Sequence, residues 1–233
     1  MVGIFHPGVG SHPDIHMTEE VGPAADVDFR ISIIEVSSRE ALASAFDAGL
    51  CALYAEVFGE PPEFQQWSAD EVKRLFSAYF ERGRVVLAVC ASSSRCIGFV
   101  ATTPLVNASL FGQSAMATGP TPHVVLDSAF FAARDIDAST AQYVADLGVA
   151  AGFRRRGLAS RLLHAATTLV QPVLPRSHVL LRVSAVKDFA LQLYERAGFV
   201  LLEGVRQEVP FRVSGIEAPV LLTKLLMVKS LSV

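Results

Sequence analysis

The sequence predicts a mixed α/β (α+β) domain, and three observations carry that reading. Val- and Ile-rich runs such as FRISIIEV (29–36) and HVLLRVS (178–184) alternate with stretches whose apolar residues recur at helical spacing. Strand–helix–strand units lie on each side of an Arg-rich turn at 154–157, which implies a sheet with a parallel portion. RVVLAVCA (84–91) and CIGFVATTPL (96–105), separated by the turn-like Ser92 to Arg95, predict a hairpin.

Taken in order, residues 1–28 show no periodicity and are rich in Gly, Pro and His, so they read as a flexible N-terminal tail. Met17, opening MTEE, is a second candidate start. His6, His12 and His16 have no Cys or carboxylate at ligand spacing, so no metal site is expected. After the first strand, Leu42, Ala45, Phe46, Leu50, Leu53, Tyr54 and Val57 form an apolar stripe, predicting one helix over 38–58. The prolines of GEPPEFQQWS (59–68) stop it. A second helix is expected over 69–82, closed by Gly83 as a helix-terminating glycine.

The stretch from about 105 to 142 reads as an insertion, loop-like in its first half, with a short capped helix over 127–134. Connections of this length often form lids or substrate walls. Then follow a strand (143–149), a helix (158–170), a strand (178–184) and a helix (189–197). Asp188 is the expected N-cap of that last helix and Gly198 its left-handed stop. VLLEGV (200–205) and a run from Val220 complete a single domain over 29–233.

Composition narrows the class. With 51% hydrophobic and 18% charged residues the chain is globular. Its net charge of −3, from 20 basic and 23 acidic residues, gives no pull toward nucleic acid or anionic membrane. Mean hydropathy is +0.40, yet no apolar run reaches the roughly 18 residues of a membrane span. The run from Val220 is cut by Lys224 and Lys229. Three cysteines at no ligand spacing, without a secretory signal, suggest a cytoplasmic location.

The chemistry is concentrated in LGVAAGFRRRGLASRLL (147–163), where a strand passes through three arginines and a glycine into a helix opening with small residues. Free amides at a helix N-terminus, approached closely at Gly157, suit a pyrophosphate. The spacing is neither a Walker A loop nor a dinucleotide fingerprint. This segment resembles the acetyl-CoA loop of the GCN5-related N-acetyltransferase (GNAT) superfamily: Arg154-Arg155-Arg156-Gly157-Leu158-Ala159, preceded by Leu147-Gly148-Val149. A second signature follows in order as Tyr194-Glu195-Arg196-Ala197-Gly198-Phe199, with Ala190 upstream.

The resemblance implies a mostly antiparallel sheet with a central parallel pair splayed at the acetyl-CoA site and helices on both faces. It implies that Leu147, Gly148 and Val149 run beside the pantetheine arm. The main chain of Arg154, Arg155, Arg156, Gly157, Leu158 and Ala159, with Ser160, would hold the diphosphate. By the same resemblance Tyr194 is the acid for the departing thiolate, since a phenol of pKa near ~10 stays protonated at neutral pH. Asp146 is the candidate base, placed by strand alternation on the face opposite Leu147. His123, Glu56 and Glu60 are weaker candidates. The chain departs from the family at Lys187, where an Asn that contacts the cofactor is usual; Ser184 is a candidate replacement.

The acceptor site would lie between 59–68, with Phe64 and Trp67 as candidate apolar lining, and 204–219. Glu60, Glu63 and Asp70 could attract a cationic amine or merely be solvated. The expected activity is acetyl transfer from acetyl-CoA to a primary amine of a small molecule or protein. Two alternatives are a non-catalytic acyl-CoA-binding regulator on the same fold and an acyltransferase for longer acyl-CoAs. The apolar C-terminal strand is an edge on which a homodimer could form.

Overall fold

The computed structural model describes residues 30–61, 63–117, 123–168, 178–211, 216 and 218–231. The predicted tail, its three histidines, Met17 and Phe29 lie outside these residues. In chain order the elements are β1 (Ile31–Glu35), α1 (Arg39–Asp47), α2 (Leu50–Gly59), α3 (Ala69–Arg82), β2 (Arg84–Cys90) and β3 (Arg95–Pro104). There follow β4 (Ser114–Ala117), β5 (His123–Val125), α4 (Ser128–Ala132), β6 (Gln142–Val149) and α5 (Leu158–Thr168). The chain ends with β7 (His178–Ser184), α6 (Asp188–Arg196), β8 (Val200–Phe211) and β9 (Val220–Ser230).

These strands form one sheet in the order β1-β2-β3-β6-β7-β9-β8-β4-β5. Every pairing is antiparallel except β6 with β7, so the predicted mixed, mostly antiparallel sheet with one central parallel pair is what folds. Alternation along β2 separates two helical layers. Val85 and Leu87 join Leu53, Tyr54, Val72 and Phe76 beneath α1–α3. Val86 and Ala88 face the other way, toward Leu158, Leu162 and Leu163 of α5. The partly buried Leu191 and Tyr194 of α6 pack on that same cluster.

Four expectations change. The single helix over 38–58 is two, broken where Gly49 takes φ 95°, a conformation open to glycine at little cost. Gly83 does not stop α3 by a left-handed turn, since its φ is −157°. A Cβ there would lie 1.9 Å from the Thr102 carbonyl oxygen, so the residue is glycine because β3 passes too close for any side chain. Asp188 is the first residue of α6 rather than its cap; Lys187 occupies the cap position and makes no side-chain cap bond. Gly198, by contrast, has the expected left-handed φ of 86°.

The fourth change concerns the insertion. It builds a core of its own, with Leu110, Leu126, Phe131 and Ile136 packed on Tyr143, Leu180 and Leu226. It also adds β4 and β5 to the sheet edge beyond β8. The short helix was legible because Asp127 caps it, accepting from Phe130 N at 2.9 Å. The strands were not, because their periodicity is too short to stand out.

Gly83→Ala should lower unfolding free energy by about 2–3 kcal/mol, because a backbone oxygen cannot yield to the added methyl. Gly49→Ala, which meets nothing within 4 Å, should cost only about 1 kcal/mol from its positive φ. Urea denaturation of both variants checks the ranking, and the reverse order would refute the close-approach account.

Candidate active site

The β6–β7 pair is registered only at Gln142↔Val179, Tyr143↔Leu180 and Val144↔Leu181. Beyond that point β6 stays with β3, while Arg182, Val183 and Ser184 of β7 stay with β9. The two strands therefore part, leaving a wedge at their carboxyl ends, where open α/β sheets bind ligands. The parting coincides with a register shift: β3 pairs Ala101 with Asp146 and Thr102 with Val144, leaving Ala145 as the extra residue. Such bulges bend a strand and re-aim its side chains.

Asp146 is aimed toward α2 and α3, and Leu147 toward the α5 side. One oxygen of Asp146, Oδ2, accepts the Tyr79 hydroxyl at 2.6 Å and the Tyr54 hydroxyl at 3.2 Å. Burial pushes the Asp146 pKa up to about 6; the bonds from Tyr79 and Tyr54, then the charges of Arg182 and Lys224, oppose that rise. Burial and the nearby carboxylate push both phenols above their ordinary range, so they remain donors. Tyr54 and Tyr79 were legible in sequence only as members of apolar helical stripes. Their hydroxyls were the overlooked signal, since a buried phenol needs a partner.

Tyr194 packs its ring edge-to-face on Phe199 at 6.0 Å. No hydrogen bond from its hydroxyl to another described side chain is formed. Burial, followed by the influence of Tyr143, Asp146 and Glu63, raises its pKa and keeps it protonated. Tyr143 is committed elsewhere: its hydroxyl accepts from Arg182 Nε at 2.9 Å. Arg182 also donates to Gln207 Oε1 at 3.0 Å and Ser109 Oγ at 3.0 Å, tying the sheet centre to the insertion.

The Arg-rich turn caps the same end of the wedge. Arg155 has φ 58° and Gly157 φ 75°, so two left-handed residues fold the chain sharply before α5. Among the described residues, the first bond into the helix runs from Arg161 N to Gly157 O at 3.0 Å. The amides of Leu158, Ala159 and Ser160 precede it and sit in the orphan first turn. A Cβ at Gly157 would meet nothing within 4 Å, so an open space adjoins those amides. That cradle fits a diphosphate.

Arg154 plays another part. Its guanidinium grips Glu60 through two bonds, of 2.7 and 3.0 Å, and its Nε donates to the Val149 carbonyl at 2.9 Å. Its own amide bonds Ala151 O at 3.3 Å. The side chain thus fastens the end of β6 to the loop after α2. Glu56 assists by accepting from Ala151 N at 3.3 Å. Along β6, Ala150 N donates to Ile97 O, so alternation turns Gly148's main-chain groups toward β3 and those of Leu147 and Val149 toward the wedge. Gly148 has a packing role, since a Cβ there would lie 2.4 Å from Phe99.

Other candidates fall away from this centre. His123 begins β5 at the far sheet edge. Phe64 is 45% exposed, and Trp67 packs edge-on against Tyr54 at 5.2 Å. Glu63 is not a solvated loop acid: it is 2% exposed and lies 2.6 Å from Lys187 Nζ and 3.1 Å from Lys224 Nζ. Lys187, standing where the family usually has Asn, is thereby engaged with a carboxylate. Ser184 Oγ is buried without a hydrogen-bond partner among the described residues.

Residues 123–214 match the family model described as Acetyltransferase (GNAT) domain, a span from β5 through β8 that includes both signatures. Solved structures share the fold. Arabidopsis thaliana NAA60 in complex with a bisubstrate analogue is 18% identical, with a TM-score of 0.55, covering 86% of this chain and 97% of that one. The ribosomal-protein-S18-alanine N-acetyltransferase of Escherichia coli is 16% identical, with a TM-score of 0.52 and coverage of 87% and 95%. Ribosomal-protein-alanine N-acetyltransferase of Brucella melitensis is 13% identical, at TM-score 0.54 and coverage of 85% and 99%. No curated protein sequence matches the chain. At these identities the likeness is one of fold, and the fold is that of the GNAT acetyltransferases.

Because hydrogen bonds to its charged form hold the Asp146 pKa down, Tyr79→Phe should raise it above the wild-type value of about 6. Carboxyl 13C NMR against pH reads this directly, and an unchanged or lowered midpoint would refute the arrangement. The sign for stability is also fixed. The folded pKa exceeds the unfolded ~3.9, so this group's contribution is full below pH ~4 and is lost as pH rises through about 6.

Proposed function

We propose that the chain, whose residues 123–214 match an acetyltransferase (GNAT) domain model, is an acetyl-CoA-dependent N-acetyltransferase that acts by direct attack of a primary amine. What supports the reading is that β6 runs on past its parting from β7 into an open amide turn at 155–160, with Asp146 on that same stretch and its charge felt at the Tyr194 hydroxyl. Arg155, Arg156, Gly157, Leu158, Ala159 and Ser160 would hold the diphosphate by main-chain amides, and Leu147 and Val149 would border the pantetheine arm. When bound, acetyl-CoA supplies an acetyl group activated as a thioester.

The chain's own groups then handle two protons. Asp146, ionised above about pH 6, takes a proton from the acceptor ammonium, directly or through water, so that the neutral amine can attack. Tyr54 and Tyr79 hold that carboxylate in place. As the carbon–nitrogen bond forms and the carbon–sulfur bond breaks, Tyr194 donates its hydroxyl proton to the departing thiolate, and the second proton that the acylated nitrogen must lose passes through solvent to restore the Tyr194 hydroxyl. Arg154 and Glu60 keep the turn and the end of β6 in register, which is the positioning that such a reaction depends on.

Calorimetric titration should show saturable acetyl-CoA binding, lost in Gly157→Glu and absent for ATP. With an accepted amine, Tyr194→Phe and Asp146→Asn should each lower kcat by about 10²–10⁴-fold, as loss of general acid or base does. The wild-type rate should fall as pH drops through about 6. Cofactor binding without turnover, indifferent to both substitutions, would mark a non-catalytic binder. Binding only of longer acyl-CoAs would redirect the donor, and failure of every donor in folded protein would overturn the reading.

A further inference from the structure

The wedge gathers cationic side chains that its proton chemistry does not use. Glu63, from the loop after α2, is 2% exposed and reaches Lys187 at the β7–α6 turn and Lys224 on β9. Both lysines are largely buried, with side chains 16% and 14% exposed. Arg182, two residues before Ser184 on β7, is close enough for its charge to be felt at Asp146 and at Lys224. Among the described residues, Lys187, Lys224 and Arg182 thus gather around Glu63 and Asp146. Burial and the neighbouring charges of Lys187 and Arg182 hold the Lys224 ammonium below its ordinary pKa, while Glu63 pulls it up.

A second feature lies beside the lysines. Ser184 pairs directly with Lys224 in the β7–β9 register, so the two side chains share a face. Ser184 is 3% exposed, and its buried hydroxyl has no hydrogen-bond partner among the described residues. Buried hydroxyls are ordinarily bonded, and an orphan one beside an ammonium group is suited to an incoming acceptor oxygen.

We propose that the acceptor is an amine that also carries an anionic group, a carboxylate or a phosphate, which Lys224, Lys187 and Ser184 bind while Asp146 receives the amine's proton. This rests on the wedge being the transfer site. Glu63 is the internal counter-ion of the two lysines and competes with the acceptor for them. A diamine or polyamine meets like charge and is disfavoured.

The test is a panel of matched amines followed by thiol release in the full chain. Its arms are free amino acids, aminoalkyl phosphates, the corresponding amino-acid amides, and diamines. The anionic arms should exceed the amides by at least tenfold in kcat/KM, and comparing the two anionic arms assigns carboxylate or phosphate. Lys224→Met should raise KM for anionic acceptors at least tenfold more than for amides, with Lys224→Arg restoring part of the difference. Glu63→Gln, by releasing the lysines, should lower KM for anionic acceptors, a gain that a purely structural cross-link would not give. The paired Glu63→Gln/Lys224→Met variant, which removes one charge of each sign, guards against misfolding and should retain the loss of preference.

Amides or diamines reacting as well as the anionic arms would overturn the proposal. So would a KM change at Lys224→Met that is equal for all arms, or silence of the whole panel in protein that binds acetyl-CoA. Failure to bind acetyl-CoA is a separate result, directed at the transferase reading itself.

Discussion

Strand β6 pairs with β3 to its end but with β7 only as far as Val144 and Leu181. A parallel pair that stops inside a sheet leaves main-chain N–H and C=O groups without a ladder, and buried groups of that kind demand other partners. The chain meets part of that demand itself, through the Arg154 side chain on the Val149 carbonyl. The remainder faces an opening bordered by α5 and α6. The bulge at Ala145 belongs to the same event, because it sets Asp146 toward Tyr54 and Tyr79 of α2 and α3 while Leu147 stays on the α5 side.

Holding that opening in shape falls to polar groups, which is unusual for the centre of a domain. Asp146 is carried on two phenols from separate helices, so the spacing of α2 and α3 is felt at the carboxylate. Glu60 and Arg154 join the loop after α2 to the end of β6, and Glu63 joins the same loop to β7–α6 and β9. The half-exposed Glu60–Arg154 pair adds little to stability, and a buried ionic group such as Glu63 with its lysines seldom adds much over apolar packing of the same volume. Their value here is geometric: they tie β6, β9 and the β7–α6 turn to the loop after α2.

The insertion between β3 and β6 supports the arrangement from the other side. Its core rests on Tyr143, Leu180 and Leu226, the centre of the sheet just before the strands part. Through Ser109 it also supplies a partner to Arg182, whose guanidinium orients Tyr143. A stretch that reads as loop in sequence is therefore part of the wall behind the candidate site.

Local sequence was sufficient for β7 and for α3 at their observed limits, for the hairpin and for the Gly198 stop. In each case the deciding force is short-range: alternation, the Ser68–Glu71 capping box, or a left-handed turn. The glycine turn at 155–160 was legible for the same reason, being one continuous stretch whose backbone geometry its own residues impose. What tertiary structure alone decided involves residues far apart in the chain. Gly83 is glycine because of Thr102, Asp146 is held by Tyr54 and Tyr79, and Glu63 is buried by Lys187 and Lys224. Lys224 reads in sequence only as a break in the apolar run from Val220, whereas Glu63, which its ammonium bonds, lies 161 positions away. Periodicity records which face a residue takes, and only the packing of strands and helices brings two such faces together.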